Sequence, residues 1–144
     1  MTFGKTTLNM PSIEQLKLLV NLARIDGTLA EKERQYIISI GQANHLLIAE
    51  ILPLFTAEHP LTVPAQLSEE ERFDYIFRLV QLMKIDDRLY GDEIKYCARV
   101  ASSLGYREEA LFDLMLNVKN VPMGKDEIEA LRKLTAKHLV QSKD

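Results

Sequence analysis

Two carboxylates seven residues apart, Asp26 and Glu33, recur sixty residues later as Asp86 and Glu93. A further acid, Asp87, stands beside the second pair. Each pair is set in the pattern Ile-Asp-x-x-Leu-x-x-x-Glu. Carboxylate oxygens at a loop are what a hard divalent cation seeks; calcium takes roughly 6–8 oxygen ligands and tolerates irregular geometry. The candidate metal site is therefore Asp26, Glu33, Asp86, Asp87 and Glu93, and the candidate cofactor is calcium, magnesium or manganese. Such a site must draw on more than one loop. Packing of the two copies about a pseudo-two-fold axis would let it do so.

Asp-Gly-x-Leu-x-x-x-Glu also looks like the back half of an EF-hand loop, with Gly27 at the sharp turn and Glu33 as the bidentate ligand. The front half fails. Its first and third ligand positions fall on Leu22 and Arg24, and in the second copy on Leu82 and Lys84, none of which binds a cation. A structural reading competes with the metal. A glutamate in a helix's first turn is favoured by the helix dipole and completes a capping box. Asp before Gly is ordinary turn chemistry. A full box wants Ser or Thr three residues before the glutamate, where this chain has Ala30 and Tyr90.

Other chemistry is sparse. His45, His59 and His138 are scattered, with no His or Cys pair at zinc-ligand spacing. The single cysteine, Cys97, falls on a face that reads as core, and one thiol forms no intramolecular disulfide. There is no Gly-rich phosphate loop and no nucleophile elbow. The absence of a catalytic constellation leads us to expect a protein that is not an enzyme.

The elements that must position these acids are helical. Alternating β-branched runs are missing, and apolar residues recur at helical spacing. Ile13, Leu16, Leu19, Val20 and Ala23 share a face, Ser12 with Gln15 offers a capping box, and Asp26-Gly27 ends that helix. Further helices are predicted over about 30–43, 46–55 (despite Pro53), 68–83, 91–103, 107–118 and 125–140. Ser68 with Glu71 forms a second capping box, and Gly105 a helix stop. The stretch 56–67, with Pro60 and Pro64, reads as a linker. The expected fold is all-α: one domain over 1–144, a compact bundle of about seven helices whose core is internally duplicated as halves 12–55 and 68–118, with a C-terminal helix over 125–140.

A shift of sixty residues aligns the halves without a gap. Leu19, Val20, Leu22, Ile25, Asp26, Leu29, Glu33 and Tyr36 fall on Leu79, Val80, Leu82, Ile85, Asp86, Leu89, Glu93 and Tyr96. Asn21/Gln81, Arg24/Lys84 and Ile40/Val100 are similar pairs. Packing accounts for the apolar matches. Leu29 pins an elbow between two helices, with Asp26 at the end of one and Glu33 in the first turn of the next.

The stretch Leu-Ala-Arg-Ile-Asp-Gly-Thr-Leu-Ala-Glu-Lys-Glu over 22–33 resembles the signature of the TerB family of tellurite-resistance proteins and TerB-like domains. Leu-Met-Lys-Ile-Asp-Asp-Arg-Leu-Tyr-Gly-Asp-Glu over 82–93 resembles it again, with Asp87 where Gly is usual. The likeness spans about 12–140. It implies an all-helical, duplicated core, a role in bacterial responses to tellurite and other chemical stress, and cation binding at Asp26, Glu33, Asp86 and Glu93. TerB-like domains also occur as modules beside unrelated partners.

Composition narrows the partners. A net charge of −3 gives no general attraction to nucleic acid or anionic membrane, and the basic residues near the C-terminus are diluted by Asp126, Glu127 and Glu129. The longest greasy stretch, 46–55, falls short of the ~20 residues a membrane span requires. We therefore expect a cytoplasmic protein with a protein partner, no nucleic acid and no membrane. The two functional readings are a TerB-like cation-binding stress protein and a metal-free helical interaction module whose acidic edge recognises a basic partner.

Overall fold

The computed structural model describes residues 3–85, 91–119 and 121–140, with side chains from residue 12 onward. Among these the fold is all-helical, with seven α-helices and no strand. The chain forms two compact units, Met1–Ala65 and Gln66–Asp144, whose boundary falls in the Pro60 and Pro64 segment.

In the first unit α1 (Phe3–Ala23) packs on α2 (Glu31–Ala43), which packs on the short α3 (Ile48–Ile51). A 3-10 turn, Leu52–Thr56, follows α3 and returns to α1. Helix α1 begins nine residues before Ser12, so Ser12 lies inside it rather than at its start. The single helix expected over 46–55 divides instead at Leu52, because Pro53 near the start of the tighter turn cannot donate an i→i−4 bond.

Leu16, Leu19, Val20, Ile37 and Ile51 are fully buried. Each such side chain contributes roughly 1.5–3 kcal/mol on leaving water. Gly41 is what lets the helices close: a Cβ there would lie 2.6 Å from Ile51 Cδ1 and 2.9 Å from Leu16 Cδ1.

In the second unit α4 (Glu69–Met83) packs on α5 (Gly91–Ser103), α6 (Glu108–Asn117) and α7 (Lys125–Ala136). Ser68 caps α4 as the sequence predicts. Its Oγ accepts from Glu71 N–H at 3.1 Å, and Glu71 Oε1 accepts from Ser68 N–H at 2.8 Å. Phe73 and Phe77 stack at 5.6 Å within the core. Helix α5 has the predicted bounds, whereas α7 ends at Ala136, short of the expected 140. After α7 the chain turns, and Arg107 N–H donates to His138 O while Val140 N–H donates to Gly105 O.

The units share local detail at the sixty-residue offset. Helix α2 buries Glu33, Ile37, Ile40 and Gly41; α5 buries Glu93, Cys97, Val100 and Ala101. Both helices end in the same left-handed stop. His45 (φ 68°) and Gly105 (φ 92°) each follow the cap residue, and Leu46 and Tyr106 donate back to the carbonyls of Gly41 and Ala101.

Candidate functional site

The first elbow joins α1 to α2. Gly27 adopts φ 91°, and Asp26, exposed, folds over it. Asp26 Oδ1 accepts from Thr28 N–H at 3.1 Å and from Thr28 Oγ1–H at 3.3 Å, which closes an Asx turn. Leu29 is half-buried. Glu33 is only 7% exposed, and its Oε1 accepts from Ala30 N–H at 3.4 Å. Ala30 has no acceptor of its own, so only the carboxylate half of a capping box forms.

That half-box answers the puzzle of the missing Ser or Thr. The same device recurs where Glu50 accepts from Leu47 N–H at 2.8 Å and Glu127 from Gly124 N–H at 2.9 Å. A glutamate at the third helical position reaches back to the cap nitrogen whatever side chain the cap residue carries. Glu33 thus has a backbone duty independent of any ion.

In the second copy Glu93 occupies the third position of α5 and is likewise buried. Asp86 and Asp87 lie outside the described residues, as does Tyr90 at the cap position. Among the described residues no three His, Cys, Asp or Glu side chains stand close enough together to hold a metal ion. The structure therefore places Asp26 and Glu33 at the two ends of one elbow, and Glu93 in the corresponding turn of α5.

Two pairs that the sequence shows only as similar residues have defined roles. Arg24 Nη1 donates to Phe55 O at 3.2 Å and to Ala57 O at 3.1 Å. Lys84 Nζ donates to Met115 O at 2.6 Å and Val118 O at 2.5 Å. Each cation comes from just past the end of the unit's first helix; Arg24 satisfies carbonyls at the end of the 3-10 turn and Lys84 those at the end of α6, where the backbone dipole is negative. One turn earlier, Asn21 Nδ2 donates to His59 O at 2.8 Å and Gln81 Nε2 to Lys119 O at 3.3 Å. The residue just before Ile-Asp in the repeated pattern is thus a clamp.

The histidines serve three separate contacts. His59 Nε2–H donates to Leu54 O at 2.8 Å, His45 forms the left-handed stop, and His138 Nε2 meets Asp113 Oδ2 at 2.8 Å. Cys97 is fully buried, and burial together with the charge of Glu93 pushes its thiol up to about 12. That is the opposite of an activated nucleophile.

Among the described residues several large apolar side chains are exposed. Leu47, Ile48 and Leu52 are exposed at α3 and its 3-10 turn, and Phe112 and Leu116 on α6. Leu52 and Phe112 are sixty residues apart, the same register in the two units. No family model, curated protein or solved structure matches the chain.

Proposed function

We propose that this chain is a non-enzymatic, TerB-like helical module of a chemical-stress response that acts by docking a protein partner. The TerB element rests on the two repeated stretches, 22–33 and 82–93. The docking element rests on one observation: each unit leaves large apolar side chains in water at its third helix, with Leu47, just before α3, 67% and Leu116 on α6 82% exposed. Single exposed apolar residues are ordinary, but neighbouring ones one turn apart mark interaction surfaces. Ile48 and Leu52 have that spacing, as do Phe112 and Leu116.

The cation reading at Asp26, Glu33, Asp86, Asp87 and Glu93 has less support. Glu33 Oε1 is engaged by Ala30 N–H and Asp26 Oδ1 by Thr28. Affinity capture distinguishes the two readings when the wild type is compared with Leu52→Ser/Phe112→Ser and with Asp26→Asn. The docking reading expects a protein retained by the wild type and Asp26→Asn and lost by the double variant. Saturable heat on titration with calcium, magnesium or manganese, abolished by Asp26→Asn, would reverse the preference.

A further inference from the structure

We infer that the exposed face of α6 is the docking surface for a basic amphipathic helix of a partner protein. The inference rests on the docking reading above and names the chemistry of the partner. Phe112 and Leu116 stand one turn apart, so they form a continuous apolar stripe. Phe112 is 50% exposed and Leu116 more so. Glu108 and Glu109 lie four and three residues before Phe112, and Asp113 adjoins it.

The helix carries no Lys or Arg between Glu108 and Asn117. Glu108 and Glu109 are exposed and enter no ion pair among the described residues. Asp113 meets His138 on one oxygen. The flanking cations stand at the two ends of the helix: Arg107 precedes it, and at its far end Lys119 is bound to Glu127 at 2.8 Å while Lys84 is held on the Met115 and Val118 carbonyls. The face is therefore an apolar stripe with an acidic rim.

The charge decides the occupant. Two carboxylates in a first turn are favoured by the helix dipole alone, but that does not account for Phe112 and Leu116 beside them. An anionic lipid surface would bring negative headgroups onto Glu108, Glu109 and Asp113. A second copy in a two-fold contact presents the same patch to itself, three carboxylates on each side and no cation on either α6. A basic amphipathic helix satisfies both halves of the surface. Its apolar stripe covers Phe112 and Leu116 as helix-in-groove ligands do, and its Lys or Arg residues face the rim.

The test uses the full chain and a fluorescent amphipathic peptide of about 18 residues, with Leu at helical spacing and Lys elsewhere, beside the same peptide with Glu for every Lys. Fluorescence anisotropy should show the Lys peptide binding at least about tenfold more tightly, with the preference shrinking as salt rises. Leu116→Ser should weaken it by about tenfold while the far-ultraviolet circular dichroism spectrum is unchanged. Glu108→Lys/Glu109→Lys should favour the Glu peptide, and Leu47→Ser/Ile48→Ser should leave binding as it was.

Equal affinity for both peptides, or indifference to Leu116→Ser, overturns the inference. Binding to anionic vesicles that Leu116→Ser abolishes overturns it too. Self-association in sedimentation velocity that Leu116→Ser abolishes would assign the face to a second copy, overturning the partner chemistry while the docking reading stands. No peptide binding and no self-association overturns the inference alone, and the affinity capture above then decides the docking reading.

Discussion

Gly41 offers the sharpest test of how the first unit is packed. Replacing it with Ala puts a methyl 2.6 Å from Ile51 Cδ1 and 2.9 Å from Leu16 Cδ1, both on fully buried side chains. Overpacking of that kind costs about 1–3 kcal/mol. Against it stands the gain in helix propensity, about 1 kcal/mol. The net expectation for Gly41→Ala is a loss of about 0–2 kcal/mol. Ile51→Val alone removes Cδ1 and should cost about 0.5–1.5 kcal/mol. Together the two should cost less than their sum by about 1 kcal/mol, because the deleted methyl is the one in the way.

The assay is urea unfolding followed by circular dichroism, with midpoints compared at unchanged slope. The second unit supplies a control, since Ala101 occupies the matching position of α5 and is itself buried. Ala101→Gly should destabilise through lost propensity by about 1 kcal/mol, with nothing to gain in return. A Gly41→Ala protein more stable than the wild type by the full propensity gain, or strict additivity with Ile51→Val, would refute the packing argument.

Three other perturbations have defined outcomes. His45→Gly relieves a left-handed residue and should raise the melting temperature, while Gly105→Ala introduces the same strain and should cost about 1–2 kcal/mol. Lys84→Ala strips two charge-assisted bonds from the end of α6 and should cost about 2–3 kcal/mol in urea unfolding, more than Arg24→Ala, whose side chain is exposed. The Cys97 thiol ordinarily titrates near 9.0 and is raised to about 12 in the fold. Between those values the unfolded chain releases a proton that the folded chain keeps, so stability falls as pH rises through that window. Cys97→Ala should lessen this alkaline loss without abolishing it, because burial also raises the Tyr106 hydroxyl to about 12; chemical unfolding across the window would show it.

Helices that announce themselves by periodicity and caps were legible in the sequence: α5 runs from Gly91 to Ser103 as its apolar spacing predicts, and Ser68 opens α4 by its box with Glu71. Other boundaries were less so. Ser12 and Gln15 have the spacing of a capping box yet lie inside α1, and Pro53 shortens α3 instead of ending a longer helix. The acidic positions were visible but ambiguous, because a glutamate that caps a backbone nitrogen and one that awaits a ligand have the same spacing. Arg24/Lys84 and Asn21/Gln81 showed only as similar pairs. Their acceptors are backbone carbonyls more than thirty residues away, and no spacing rule reaches that far.

The Lys84 clamp has a consequence for motion. With its ammonium on the Met115 and Val118 carbonyls, opening of the last turn of α6 costs the Lys84 bonds as well, so the ends of α4 and α6 are coupled in native-state hydrogen exchange. Leu116 belongs to that same turn of α6. A partner seated there would slow exchange not only beneath itself but along the end of α4, and free-energy linkage requires the reverse: whatever steadies the end of α4 tightens the grip on the partner.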